Sequence, residues 1–160
     1  MKSVLPNNID KIKDPSLPFF KVLKEYIIFK QLEMQFPHAS IRVYGLCFRD
    51  NSYSFEPTGH SQLNHGVHLI VELGRSVSPH CGMFHKFQEM NDRLVNFKAG
   101  PIALTDVKPE QFVVTEHGVH VSDIDDALIK DTNAKEEVRH GNMEKIKSRV
   151  FHNKNCKGLN

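Results

Sequence analysis

LTDVKPEQFVV, Leu104 to Val114, places an aspartate, a lysine, a proline, a glutamate and a glutamine between two apolar runs. Pro109 fixes its own backbone angle, which favours a turn at this point. A second acidic cluster, Asp123, Asp125 and Asp126 in VHVSDIDDAL, follows the next β-prone run. The runs Ile102 to Leu104, Phe112 to Thr115 and Val119 to Ser122 are separated by the turn signals KPE and EHG, which predicts three short strands. The last two form a hairpin in this reading, so Asp106 and Asp123 come to the same edge.

Working upstream, Val22, Tyr26, Phe29, Leu32 and Phe36 recur at three- and four-residue spacing, which predicts a helix over Phe19 to Phe36 ended by Pro37. SIRVYGLCF (Ser40 to Phe48) and VHLIVELG (Val67 to Gly74) read as strands, with a turn-rich loop, RDNSYSFEPTGHSQLNHG, between them. A helical segment over Cys81 to Phe97 precedes the three short strands, and the tail from Thr132 reads as polar and poorly packed. The class is α+β. The expected domains are a polar leader over 1–18, a folded domain over 19–131 and a polar tail over 132–160.

Length and composition frame this without naming a function. A chain of 160 residues with 39% hydrophobic and 25% charged residues is long enough for one good core. A formal net charge of +2, with bases and acids interleaved, gives no phosphate track and argues against nucleic acid. No apolar run reaches membrane-spanning length, and MKSVLPNNIDKIKDP lacks the apolar core of a signal peptide. Cys47, Cys81 and Cys156 have no zinc-knuckle spacing.

Asp-x-Lys-Pro-x-Gln followed by an acidic strand turn is the order of a phosphoryl-transfer site. RVYGLCFRD, VHLIVELG, LTDVKPEQFVV and VHVSDIDDAL together resemble successive blocks of a family of divergent secreted protein kinases, and NCKGLN resembles the Cys-x-Gly-x-Asn after that family's activation segment. The resemblance implies a partial protein-kinase-like fold: the end of the small lobe, the hinge, and the start of the large lobe with its catalytic loop. It implies ATP and Mg²⁺ or Mn²⁺ as cofactors, a protein substrate phosphorylated on tyrosine, and a place in the secretory pathway or outside cells, with Cys156 in a disulfide. It assigns Asp106 to the attacking hydroxyl and Lys108 to the transferred phosphoryl group. Gln111 and Asp123 take the metal, and the backbone of Glu72, Leu73 and Gly74 takes the adenine. Glu25 is the helix glutamate of the small-lobe ion pair, with Glu33 as the weaker choice.

The pattern also departs from a kinase. The first glycine is Gly45, so no glycine-rich loop precedes the helix, and no Val-Ala-x-Lys strand supplies a partner for Glu25. Ser76 to Pro101 is short for the two helices that normally lie there. The expectation is a kinase fragment, an isoform or a degenerate relative, and the alternative is a catalytically silent binding scaffold. Taken alone, each acidic motif also reads as a plain turn or helix start, and Glu25 and Lys108 as solvated charges. Among ten histidines, His65 with His68, or His80 and His85 with Cys81, offer zinc donors without an organising frame. A His-x-Ser phosphoesterase finds its half-motif at His120, but His68 has no hydroxyl two residues on.

Overall fold

A computed structural model describes residues 2–3, 17–38, 40–49 and 66–152. The chain divides into two compact units, Met1–Lys30 with Arg42–Glu72, and Gln31–Ile41 with Leu73–Asn160.

In the first unit β1 (Lys2–Ser3), β2 (Val43–Arg49) and β3 (Gly66–Val71) form an antiparallel sheet in the order β1-β3-β2. Lys2 stands opposite Leu69 and Ser3 opposite His68. Helix α1 (Leu17–Gln35) begins in this unit and buries Val22, Ile28, Phe29 and Leu32, whose spacing makes one apolar stripe. Glu25 lies on that stripe and is 1% exposed. The helix closes with Phe36 N–H donating to Leu32 O at 2.8 Å, and Pro37 follows. In β2, Val43 faces Val71 and Gly45 faces Ile70, so Tyr44 is an extra residue that forms a bulge.

The second unit is built on a sheet in the order β4-β6-β7, from Arg75–Ser76, Phe112–Thr115 and Gly118–Val121. The β6–β7 hairpin turns at Glu116 and His117, and Gly118 takes the positive φ of 120° that closes it. A two-stranded ladder joins β5 (Ile102–Ala103) to β8 (Leu128–Ile129). Helix α2 (Phe84–Val95) packs on β7 and on α3 (Lys135–Arg149). Phe84, Phe87, Met90 and Leu94 are its buried stripe. Phe87 meets Phe112 and Phe151 edge to face, with ring centroids 5.1 and 5.2 Å apart.

Two expectations are corrected. The segment from Thr132 is not a poorly packed tail: a 3-10 turn over Thr132–Ala134 leads into α3, and Val138, Asn142, Ile146, Val150 and Phe151 are buried. Its buried row carries an asparagine among the apolar residues, which hides the period. The leader over 1–18 contributes a strand at Lys2–Ser3 and the first residues of α1. A two-residue strand has no periodicity to detect.

Among the described residues no helix is long and apolar enough to cross a membrane. Cys81 is disulfide-bonded and Cys47 is a free thiol, while Cys156 and NCKGLN lie outside the described residues.

Candidate active site

Two segments of the second unit run side by side, residues 104–111 and 122–127. At one end they leave and enter the β5–β8 ladder, where Ala103 pairs with Leu128, and Thr105 Oγ1 donates to Asp126 O at 3.0 Å. At the other end they flank the base of the hairpin, where Phe112 pairs with Val121 and Ser122 N–H donates to Gln111 O at 2.7 Å. Asp106, Lys108, Gln111 and Asp123 all fall within this doubly pinned pair of segments.

Val107 is buried and Lys108 is extended, so Asp106 and Lys108 both point outward on either side of an anchored residue. Lys108 Nζ lies 2.6 Å from Asp106 Oδ2, with the two side chains 62% and 49% exposed. The Lys108 ammonium is held above its ordinary pKa, first by this hydrogen bond and then by the Asp106 charge; Glu110 and Asp123 add smaller contributions. Lys108 thus bears a firm positive charge in a field of three carboxylates. Pro109 opens a 3-10 turn over Pro109–Gln111, in which Gln111 N–H donates to Lys108 O and Lys108 N–H donates to Gln111 Oε1, both at 3.0 Å. The amide oxygen of Gln111 retains a second lone pair. Asp123 follows β7 and its Oδ1 is sealed from solvent. Ile124 is buried beside it, and Ala127 N–H donates to Ile124 O at 3.1 Å, which closes the turn carrying Asp125 and Asp126.

The hinge-like residues divide between the units. Glu72 belongs to the first, where it exchanges backbone bonding with Arg42: Glu72 N–H donates to Arg42 O at 2.8 Å, and its Oε2 accepts from Arg42 N–H at 3.3 Å. Leu73 and Gly74 belong to the second. Leu73 is almost wholly exposed, and Gly74 lies so close to β6 that a Cβ there would stand 2.7 Å from Val113 Cβ. Gly74 therefore runs beside the strand that begins next to Gln111. Glu25, in the first unit, is buried and is not a solvated surface charge.

The competing chemistries lose their donors. Cys81 is in a disulfide and has no thiolate to offer zinc, and His65 lies outside the described residues. Among the described residues no group of three or more His, Cys, Asp or Glu side chains could hold a metal ion. His120, the phosphoesterase half-motif, is 1% exposed and its Nε2 is hydrogen-bonded to Thr115 Oγ1 at 2.9 Å, so it cannot meet a phosphate ester from solvent.

Sequence reasoning missed Asn142 and Lys145, which bond the backbone at Leu104.

A mixed α+β chain with two acidic turns at one hairpin base is consistent with a partial kinase-like fold, and comparison with known proteins supports a distant kinase-like relationship. The human protein Extracellular tyrosine-protein kinase PKDCC is 26% identical to this chain over 114 residues, covering 70% of this chain and 22% of PKDCC. The chain thus spans about a fifth of the length of that relative. No family model matches the chain, and no solved structure matches it.

Proposed function

We propose that this chain is part of a protein kinase that transfers the γ-phosphoryl group of ATP to a protein hydroxyl. The observation that carries the reading is the double pinning of segments 104–111 and 122–127, through Thr105 to Asp126 and Gln111 to Ser122. In the transfer, the bond from the γ-phosphorus to the bridging oxygen breaks as the bond to the substrate oxygen forms, and ADP leaves. Asp106 orients the attacking hydroxyl and accepts its proton. Lys108 keeps its charge for the transferred phosphoryl group.

Gln111 and Asp123 present hard oxygen donors, and Mg²⁺ is commonly held by one or two protein oxygens together with phosphates. They would hold Mg²⁺ or Mn²⁺, which would neutralise phosphate charge. The backbone of Glu72, Leu73 and Gly74 is the proposed adenine contact. The buried Glu25 is the proposed small-lobe glutamate. By its name PKDCC acts on tyrosine and outside the cell, and both properties are proposed here for the protein of which residues 19–131, extended by β1 and α3, form part. A silent scaffold has one observation in its favour, the use of Gln111 Oε1 by Lys108 N–H.

The test is radiolabel transfer and nucleotide titration on the chain joined to the upstream lobe and downstream helices of its parent kinase, and on two variants of that protein. Asp106→Asn should lower turnover about 10²–10⁴-fold with ATP affinity nearly unchanged, because the proton acceptor is lost while ground-state contacts remain. Asp123→Asn should weaken both. ATP binding without transfer would favour the scaffold, and normal turnover in Asp106→Asn would return the loop to a plain turn.

A further inference from the structure

We infer that α3 is a brace for the catalytic loop, in which Asn142 and Lys145 are positioning residues that set the Leu104 peptide and, through it, the Asp106 carboxylate. The inference rests on the proposed role of Asp106. Pairing in the β5–β8 ladder stops at Ala103, so the N–H and C=O of Leu104 lie just beyond the strand partners that serve Ile102 and Ala103. Side chains of α3 take over. Leu104 N–H donates to Asn142 Oδ1 at 2.8 Å, and Lys145 Nζ donates to Leu104 O at 2.5 Å.

Asn142 is 1% exposed, and its oxygen and both amide hydrogens are hydrogen-bonded. Its Nδ2 donates to Ile102 O at 3.0 Å and to Asn91 Oδ1 at 2.9 Å, and Asn91 Nδ2 returns to Arg139 O at 3.0 Å. The network admits one orientation of the Asn142 amide, since Leu104 presents a donor and Ile102 an acceptor. From Leu104 the chain to the active carboxylate is short and held throughout: Thr105 is tied to Asp126, and Val107 is buried. A shift of the Leu104 peptide is therefore passed on toward Asp106, two residues away.

The test uses Lys145→Met, which keeps most of the aliphatic stem and removes the donor, with Lys145→Arg as the conservative variant. Hydrogen exchange should quicken about tenfold in peptides covering 104–111, while those from 112–121 and 84–95 keep wild-type rates, since a local opening and not a global one is involved. Turnover should fall about tenfold or more with ATP affinity unchanged, because small misplacements of a catalytic group cost rate and not ground-state binding, and Lys145→Arg should restore it. Exchange that is unchanged, or that quickens equally across 84–95 and 112–121, overturns the brace. So does a loss of turnover matched by an equal loss of ATP affinity. Should the wild-type protein, joined to the rest of its parent kinase, transfer no phosphoryl group, the proposed function fails, and exchange alone decides whether α3 braces the loop.

Discussion

Phe87→Ala should be among the most damaging single changes in the second unit. Phe87 is fully buried and makes edge-to-face pairs with Phe112 on β6 and Phe151 just after α3, so one ring joins three elements. Truncating a buried phenylalanine costs about 3–5 kcal/mol in lost burial and cavity. The two ring pairs, each worth roughly 0.5–1.5 kcal/mol beyond area, place this site in the upper half of that range. Phe87→Leu keeps most of the volume and loses the ring geometry, so it should cost about 1–2 kcal/mol. A loss of about 4 kcal/mol is a large part of an ordinary stability of roughly 5–15 kcal/mol and lowers the melting point by about 8–16 °C in a chain of this size. Urea unfolding followed by circular dichroism at 222 nm suits the measurement, because the chain has no tryptophan and its three tyrosines, Tyr26, Tyr44 and Tyr53, fall within the first unit. A cost below about 1 kcal/mol for Ala, or equal costs for Ala and Leu, would refute the claim that a close-packed aromatic cluster holds α2, β6 and α3 together.

Gly74→Ala should destabilise by about 1–3 kcal/mol, since the new methyl meets Val113 at 2.7 Å, and Val113→Ala in the same chain should recover part of the loss in a double-mutant thermal melt. Gly100→Ala should be worse, because Gly100 has φ 126° and its Cβ would press on the carbonyl of Lys130; protection of the β5–β8 amides in hydrogen exchange should collapse. The Lys108 ammonium should titrate above its ordinary 10.5, and Asp106→Asn should bring it back down, as read by NMR of the side chain. Because the folded value is raised, the stabilisation from this pair is complete below 10.5 and is lost as the pH climbs through the raised value. An unmoved titration in Asp106→Asn would show that the pair is not its cause.

The long helix was legible because Val22, Phe29 and Leu32 repeat an apolar stripe, and the hairpin was legible because turn residues flank two β-prone runs. From these alone follows the nearness of the two acidic turns. What the sequence withheld has physical causes. Helix α3 hides because Asn142 occupies an apolar row, and its burial is tolerated since the Leu104 and Ile102 peptide groups and Asn91 satisfy it. The β1 strand hides because two residues hold no period. Spacing put Glu25 one turn from Phe29 on the core-facing side but left a solvated charge open, because burial of a carboxylate depends on tertiary surroundings that spacing does not encode. The reciprocal bonding of Lys108 and Gln111 needs the 3-10 turn before it exists.

The bulge at Tyr44 makes β2 unequally tolerant of changes in length. Removing Tyr44 deletes the residue that has no opposite number and leaves Val43 facing Val71 and Gly45 facing Ile70. Removing a residue elsewhere in β2 shifts the pairing by one and turns every later side chain to the opposite face. Single-codon deletions in this strand should therefore be survivable at one position and ruinous at its neighbours, so homologues that lack a residue here are expected to lack it at the bulge.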